Sequence, residues 1–175
     1  GVVQRLFEFN FRYPLENDTA AMQWCTYGAT HFPARPTVTS CQLELMAWSD
    51  MARPDPVRAR SLEHSTLNCL GCGRYMLEPR LDMLVGVVYA RAGQRDSARA
   101  VLRRGLARSP SNSETVIMAA NILALLGEKD KGVALIVTYA AAHPEQRVLM
   151  RRSYGLRALR REPRVMLALE PPPRG

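Results

Sequence analysis

The stretch "LVGVVYARAGQRDSARAVLRRGLARSP", residues 84–110, decides the fold. Small residues stand at Gly86, Ala98 and Gly105, bulky ones at Tyr89 and Leu102, with Gly93 near the middle and Pro110 at the end. This is the pattern of two antiparallel helices. Gly93 can turn the chain in a left-handed conformation, and Pro110 stops the second helix. The small positions let the helix backbones approach while Tyr89 and Leu102 fill the space between them. Adding 34 to each position gives Ala120, Leu123, Gly127, Gly132, Ile136, Tyr139 and Pro144. Glycine recurs at the turn, proline at the stop, and the other positions stay small or apolar. Such a unit cannot bury its apolar face alone, so copies stack on one another. The expected fold is all-α, an antiparallel helix-pair solenoid of about eight helices.

The period and pattern resemble the tetratricopeptide repeat over 79–144. The first copy departs from the family in having Asp82 where an aromatic residue is usual, and the second has Ala120 for glycine and Gly132 for alanine. In that family the first helix of each pair lines a groove that takes extended peptides or another protein's helix. By resemblance, the lining here is Arg80, Met83, Val87 and Arg91 from one copy, then Glu114, Ile117, Asn121 and Leu125 from the next. It lacks the lysine and asparagine arrangement with which chaperone-binding members clamp a terminal carboxylate. The alternative for these positions is packing against the N-terminal helices.

Both ends of a two-copy stack need covering, and the flanking sequence is expected to supply the covers. Residues 1–15 read as an extended lead-in, and 16–78 as helices packing on the repeats. "ENDTAAMQWCTYGATHF" and "PTVTSCQLELMAWSDMA" form two helices joined around Pro33 to Pro36, and "DPVRARSLEHSTLNCLG" a third ending at Gly71. Residues 145–163 read as one capping helix whose apolar positions 148, 149, 156 and 159 form its buried face. The remainder, 164–175, is expected to be an extended, proline-rich tail. All of this belongs to one globular domain. The chain starts with neither methionine nor a secretory-signal pattern, which suggests an excised or processed piece.

Composition narrows the function. The chain has 175 residues, 47% of them hydrophobic, enough for a substantial core, and no apolar run of the roughly 18 residues needed to span a bilayer. Its net charge of +8 comes from 24 basic residues, of which only Lys129 and Lys131 are lysine. The densest part holds Arg147, Arg151, Arg152, Arg157, Arg160, Arg161 and Arg164. Guanidinium groups could bind phosphate, nucleic acid or anionic lipid there. A solvated helix face explains them more simply, since no stacking aromatics are interleaved and no nucleic-acid module is present.

The cysteines bear on compartment. Cys25 and Cys41 are each eight residues from Pro33, so an antiparallel hairpin turning there sets them opposite one another. A disulfide between them would contribute on the order of 3 kcal/mol by the loop-closure relation. Cys69 and Cys72, in "NCLGCG", are close enough for a local bridge. Two bridges favour an oxidising place such as the bacterial periplasm, with the cytoplasm as the alternative. The other readings of Cys69 and Cys72 are free thiols, a thiol redox module or a zinc site. For zinc a second ligand pair is missing, and haem attachment would need histidine where Gly73 stands.

No catalytic constellation emerges. His31, His64 and His143 lie in unrelated segments, and no nucleophile elbow, zinc-protease or phosphate-loop motif is present. No catalytic residue, cofactor or metal is assigned, and the reading is non-enzymatic. The "YPLEND" stretch and the helical, cysteine-bearing architecture resemble the periplasmic C-terminal region of bacterial O-antigen polymerase and ligase or protein O-oligosaccharyltransferase membrane proteins. That resemblance implies an envelope scaffold contacting a protein, or glycan machinery, through the groove. Membrane attachment would come only from parts of a parent chain lying outside this sequence.

Overall fold

A computed structural model describes residues 18–32, 36–68, 74–156 and 158–170. Among them the regular structure is helical throughout: α1 (Asp18–His31), α2 (Pro36–Trp48), α3 (Pro56–Leu67), α4 (Arg74–Arg91), α5 (Arg95–Arg108), α6 (Ser113–Leu125), α7 (Lys129–Ala142), α8 (Arg147–Arg152) and α9 (Pro163–Ala168), with single 3-10 turns at Pro144–Gln146 and Tyr154–Leu156. The all-α solenoid is thus present.

The repeat turns work as their glycines require. Gly93 and Gly127 have φ of +76° and +85°. Each closes its helix with the same pair of bonds: Gln94 N–H to Tyr89 O (2.9 Å) with Gly93 N–H to Ala90 O (3.2 Å), and Glu128 N–H to Leu123 O (2.8 Å) with Gly127 N–H to Ala124 O (3.1 Å). These are Schellman motifs, satisfying carbonyls that the helix leaves without partners. Helix starts are equally local. Asp55 accepts from Arg58 N–H (3.0 Å) ahead of α3, and Asn112 accepts from Thr115 N–H (2.9 Å) ahead of α6.

Small residues set the helix spacing. A Cβ on Gly86 would come within 2.6 Å of Val101 on α5, and one on Gly132 within 2.6 Å of the Ala120 carbonyl oxygen. The two copies share this constraint in opposite ways. The first places glycine on its first helix and alanine, Ala98, on its second; the second reverses them as Ala120 and Gly132.

The stack also extends upstream. α2 and α3 pack on each other and both pack on α4, just as α4 and α5 pack on α6. They therefore form a third helix pair ahead of the two legible copies. Their main core continues unbroken from Leu43, Met46, Ala47 and Ala59 through Leu81, Leu84, Val85 and Val88 to Val101, Met118 and Ile122. α1 packs outside α2, over Ala21, Cys25, Val38, Cys41 and Leu45.

The C-terminal part departs from the sequence reading. In place of one helix over 145–163, the chain breaks at Ser153, whose ψ of 128° is extended. The expected buried face divides accordingly: Leu156 and Leu159 are fully buried, whereas Val148 and Leu149 are 47% and 63% exposed. The tail assigned to 164–175 instead begins with α9, which packs on α7 and buries Val165 and Leu169 against Val133 and Ile136. Glu162 and Pro163 at its start fit a helix N-terminus. Residues 1–17 and 171–175, and with them the lead-in and the last prolines, lie outside the described residues.

Candidate interaction groove

The first helices of the three pairs, α2, α4 and α6, stand side by side. One ion chain crosses all three: the Arg80 guanidinium on α4 contacts Glu44 of α2 at 2.6 Å and Glu114 of α6 at 3.1 Å. Burial works to lower the Arg80 pKa, but the two carboxylates outweigh it and hold the group above its ordinary value. Arg91, one helix end further along, donates to the carbonyls of Met46 and Ala52 and so ties down the turn between α2 and α3. Both arginines expected to face a ligand therefore hold helix pairs together.

The remaining groove positions divide between core and surface. Met83 is fully buried against Gly105 of α5, within its own repeat, and Val87 is fully buried in the main core. Ile117 and Asn121 are 2% and 4% exposed. Glu114 and Leu125 reach solvent, the latter at 46%. As an open lining for a ligand the sequence expectation is corrected: four of its eight positions, Met83, Val87, Ile117 and Asn121, are covered.

The cover over Ile117 and Asn121 is the chain itself. Asn121 donates from its side-chain amide to Ile117 O at 2.8 Å and also to Gly155 O, in the 3-10 turn after α8. Gly155 lies so close to the first helices that a Cβ there would meet Ile117 Cγ2 at 3.0 Å and Trp48 Cζ2, at the end of α2, at 3.2 Å. Leu156 and Leu159 follow it into a cluster with Val116, Ile117, Ala120 and Met150. An arm of the same chain thus occupies the face where the family takes its ligands. Neither Trp48 nor Gly155 was singled out from sequence as a groove residue. Asn121 carried a signal, because an amide inside an apolar helix face needs a buried acceptor.

A second polar group lies between α3, α4 and α5. Asp82, 5% exposed, accepts from Arg104 (2.9 and 2.7 Å) and Arg60 (3.0 Å), and Arg60 also bonds the Tyr89 hydroxyl (3.1 Å) and Glu63 (2.6 Å). Guanidinium groups here bridge the helices at the position the family usually fills with an aromatic ring. Burial pushes the Glu63 carboxyl up, against the opposing effect of Arg60. Arg60, Glu63, Asp82 and Arg104, with His64, Leu67 and Arg108, line a cleft of about 280 Å³.

The other expected sites are dispersed. Arg147 donates to Ala140 O, Arg160 to Ser153 O, and Arg164 pairs with Asp130 at 2.6 Å. Arg151, Arg152 and Arg161 are exposed. Arg157, Cys69 and Cys72 lie outside the described residues. His31 bonds the Tyr27 carbonyl at 2.9 Å and stacks on its ring, whereas His143 lies beside Tyr139 and Glu145. Cys25 and Cys41 face each other with sulfurs in contact and Cα atoms 5.9 Å apart, within the span of a disulfide. Among the described residues no group of three or more His, Cys, Asp and Glu is arranged to hold a metal ion, and no helix is long and apolar enough to cross a membrane.

The family model described as tetratricopeptide repeat matches residues 79–122, which cover α4 from Pro79, α5 and most of α6. Residues 79–122 thus carry a tetratricopeptide repeat. Neither the curated proteins nor the solved structures yield a match. A repeat of this kind supports a protein–protein interaction scaffold.

Proposed function

We propose that this scaffold works in the bacterial cell envelope, outside the reducing cytoplasm, as the soluble part of machinery that builds or transfers surface glycans. The observation that carries the compartment is the Cys25–Cys41 pair. Both residues are buried, at 2% and 0% exposure, and they face each other between α1 and α2. A disulfide there persists only where thiols are not kept reduced. The glycan-handling role rests on the resemblance of the "YPLEND" stretch and the cysteine-bearing helical architecture to the periplasmic ends of O-antigen polymerases, ligases and oligosaccharyltransferases. Binding of a protein partner is the coarser reading and follows from the repeat itself.

The test is intact mass and peptide mapping of protein exported to a bacterial periplasm, with and without reductant and alkylating agent. The expected result is a fragment linking Cys25 to Cys41 that disappears on reduction. Complete alkylation of both thiols before reduction would return the scaffold to the cytoplasm and remove the envelope reading.

A further inference from the structure

The arm over the first helices has the features of a bound peptide. Its contact with the groove is made through one backbone carbonyl, that of Gly155, which accepts from the Asn121 side-chain amide; through a glycine pressed onto Trp48 and Ile117; and through two leucines one and four residues further on. Its other ties to the scaffold include two ion pairs, Lys129 with Glu162 and Arg164 with Asp130. The second is largely solvent-exposed, and pairs of that kind contribute between nothing and about 1 kcal/mol. A segment from another protein offering a glycine and two leucines in the same register would replace each arm contact with its equivalent, so the exchange costs little enthalpy.

We propose that the groove's ligand is a protein segment of the Gly-Leu-x-x-Leu kind, and that the chain's own copy at Gly155, Leu156 and Leu159 closes the groove until such a segment displaces it. This rests on the reading of the molecule as a protein-binding scaffold and names both its partner and its control. Asn121 selects the backbone carbonyl. Trp48 and Ile117 favour glycine at that point, because a Cβ would meet their side chains at 3.0–3.3 Å, tighter than ordinary contact. A closed groove lowers apparent affinity by the fraction of molecules with the arm released.

The probe is a fluorescent peptide with the sequence of residues 150–162, added to the full chain and to a Leu156→Ser/Leu159→Ser variant checked for helicity by circular dichroism. The variant is expected to bind the peptide at least about tenfold more tightly than the native chain. Asn121→Ala added to it should weaken binding about fivefold, the loss of a buried hydrogen bond. Equal or absent binding by a folded variant overturns the proposal, as does a gain of dimer without peptide capture in light scattering, which would make the occupant a second copy of this chain. Should the variant not fold, hydrogen exchange on the native chain decides: saturating peptide should speed exchange at 153–156 and 158–160 and leave α4 unchanged. Unaltered arm exchange overturns the proposal. An arm as protected as α4, with peptide still captured elsewhere on the chain, would remove the gate and leave the scaffold reading standing. An arm that opens freely, with no peptide taken up, would remove ligand binding by the groove.

Discussion

Ile122 in the second repeat and Leu156 in the C-terminal arm are both fully buried, yet they belong to regions built in different ways. Ile122 sits in a core that runs through three stacked helix pairs, with neighbours before and behind it. Leu156 sits in a single turn laid across those helices and held by side-chain contacts and the Asn121 amide. Burial is therefore a poor guide to how firmly a residue is held. Position within the stack decides which contacts are lost together when a segment opens.

The largest expected effect breaks this comparison most directly. Ile122→Ala should cost about 2–5 kcal/mol of global stability, read as a lowered denaturation midpoint and lowered exchange protection throughout α4–α7. Leu156→Ala should lower protection in the arm while that of α4 changes by less than about 1 kcal/mol. A uniform loss after Leu156→Ala would place the arm in the same cooperative unit as the repeats.

Next in size is the N-terminal hairpin. Cys25→Ser with Cys41→Ser should lower stability by on the order of 3 kcal/mol in oxidising buffer. That difference should vanish in reductant, as denaturation in both buffers would reveal. Gly132→Ala follows at about 1–3 kcal/mol, since its Cβ meets the backbone oxygen of Ala120 and not a side chain that could rotate away. Ala120→Gly in the same molecule should recover none of that loss, because the oxygen stays in place, as thermal melting of the single and double variants would show. Gly93→Ala, at φ +76°, is expected to cost about 1 kcal/mol.

The smallest effect concerns pH. Burial raises the Glu63 carboxyl in the folded state, so the fold favours its protonated form. Stability from this group is then highest below the ordinary carboxylate range and falls as pH rises through the ordinary value to the raised one. Glu63→Gln should flatten that fall and leave stability at pH 7 equal to or above that of the native chain, measurable by denaturation across pH 4–8.

Sequence legibility followed the same division between stack and arm. Gly93, Gly127, Pro110 and Pro144 announce their roles locally, because a left-handed turn or a missing N–H constrains the chain whatever surrounds it. The α2–α3 pair was read as helices but not as a member of the stack. Its turn is longer than those at Gly93 and Gly127, so the 34-residue spacing does not reach it. The arm was misread because 148, 149, 156 and 159 fit one helical face, and nothing in that spacing marks the break at Ser153. The groove positions lie on the first helices, as the resemblance implies, but family resemblance does not reveal the cover that the chain's own end lays over Ile117 and Asn121.

The sequence by itself determined the helix pairs, their turns, the small-residue spacing between them and the opposition of Cys25 to Cys41. Each of these depends on residues a few turns apart along one hairpin. Only the tertiary structure decided that Arg80 and Arg91 bind helices together, that Asp82 joins α3 to α5 through guanidinium groups, and that Gly155 lies against Trp48 and Ile117. Those contacts join segments between 22 and 107 residues apart. No local propensity encodes such a meeting, because it exists only once the stacked helices present a surface on which the distant segment can settle.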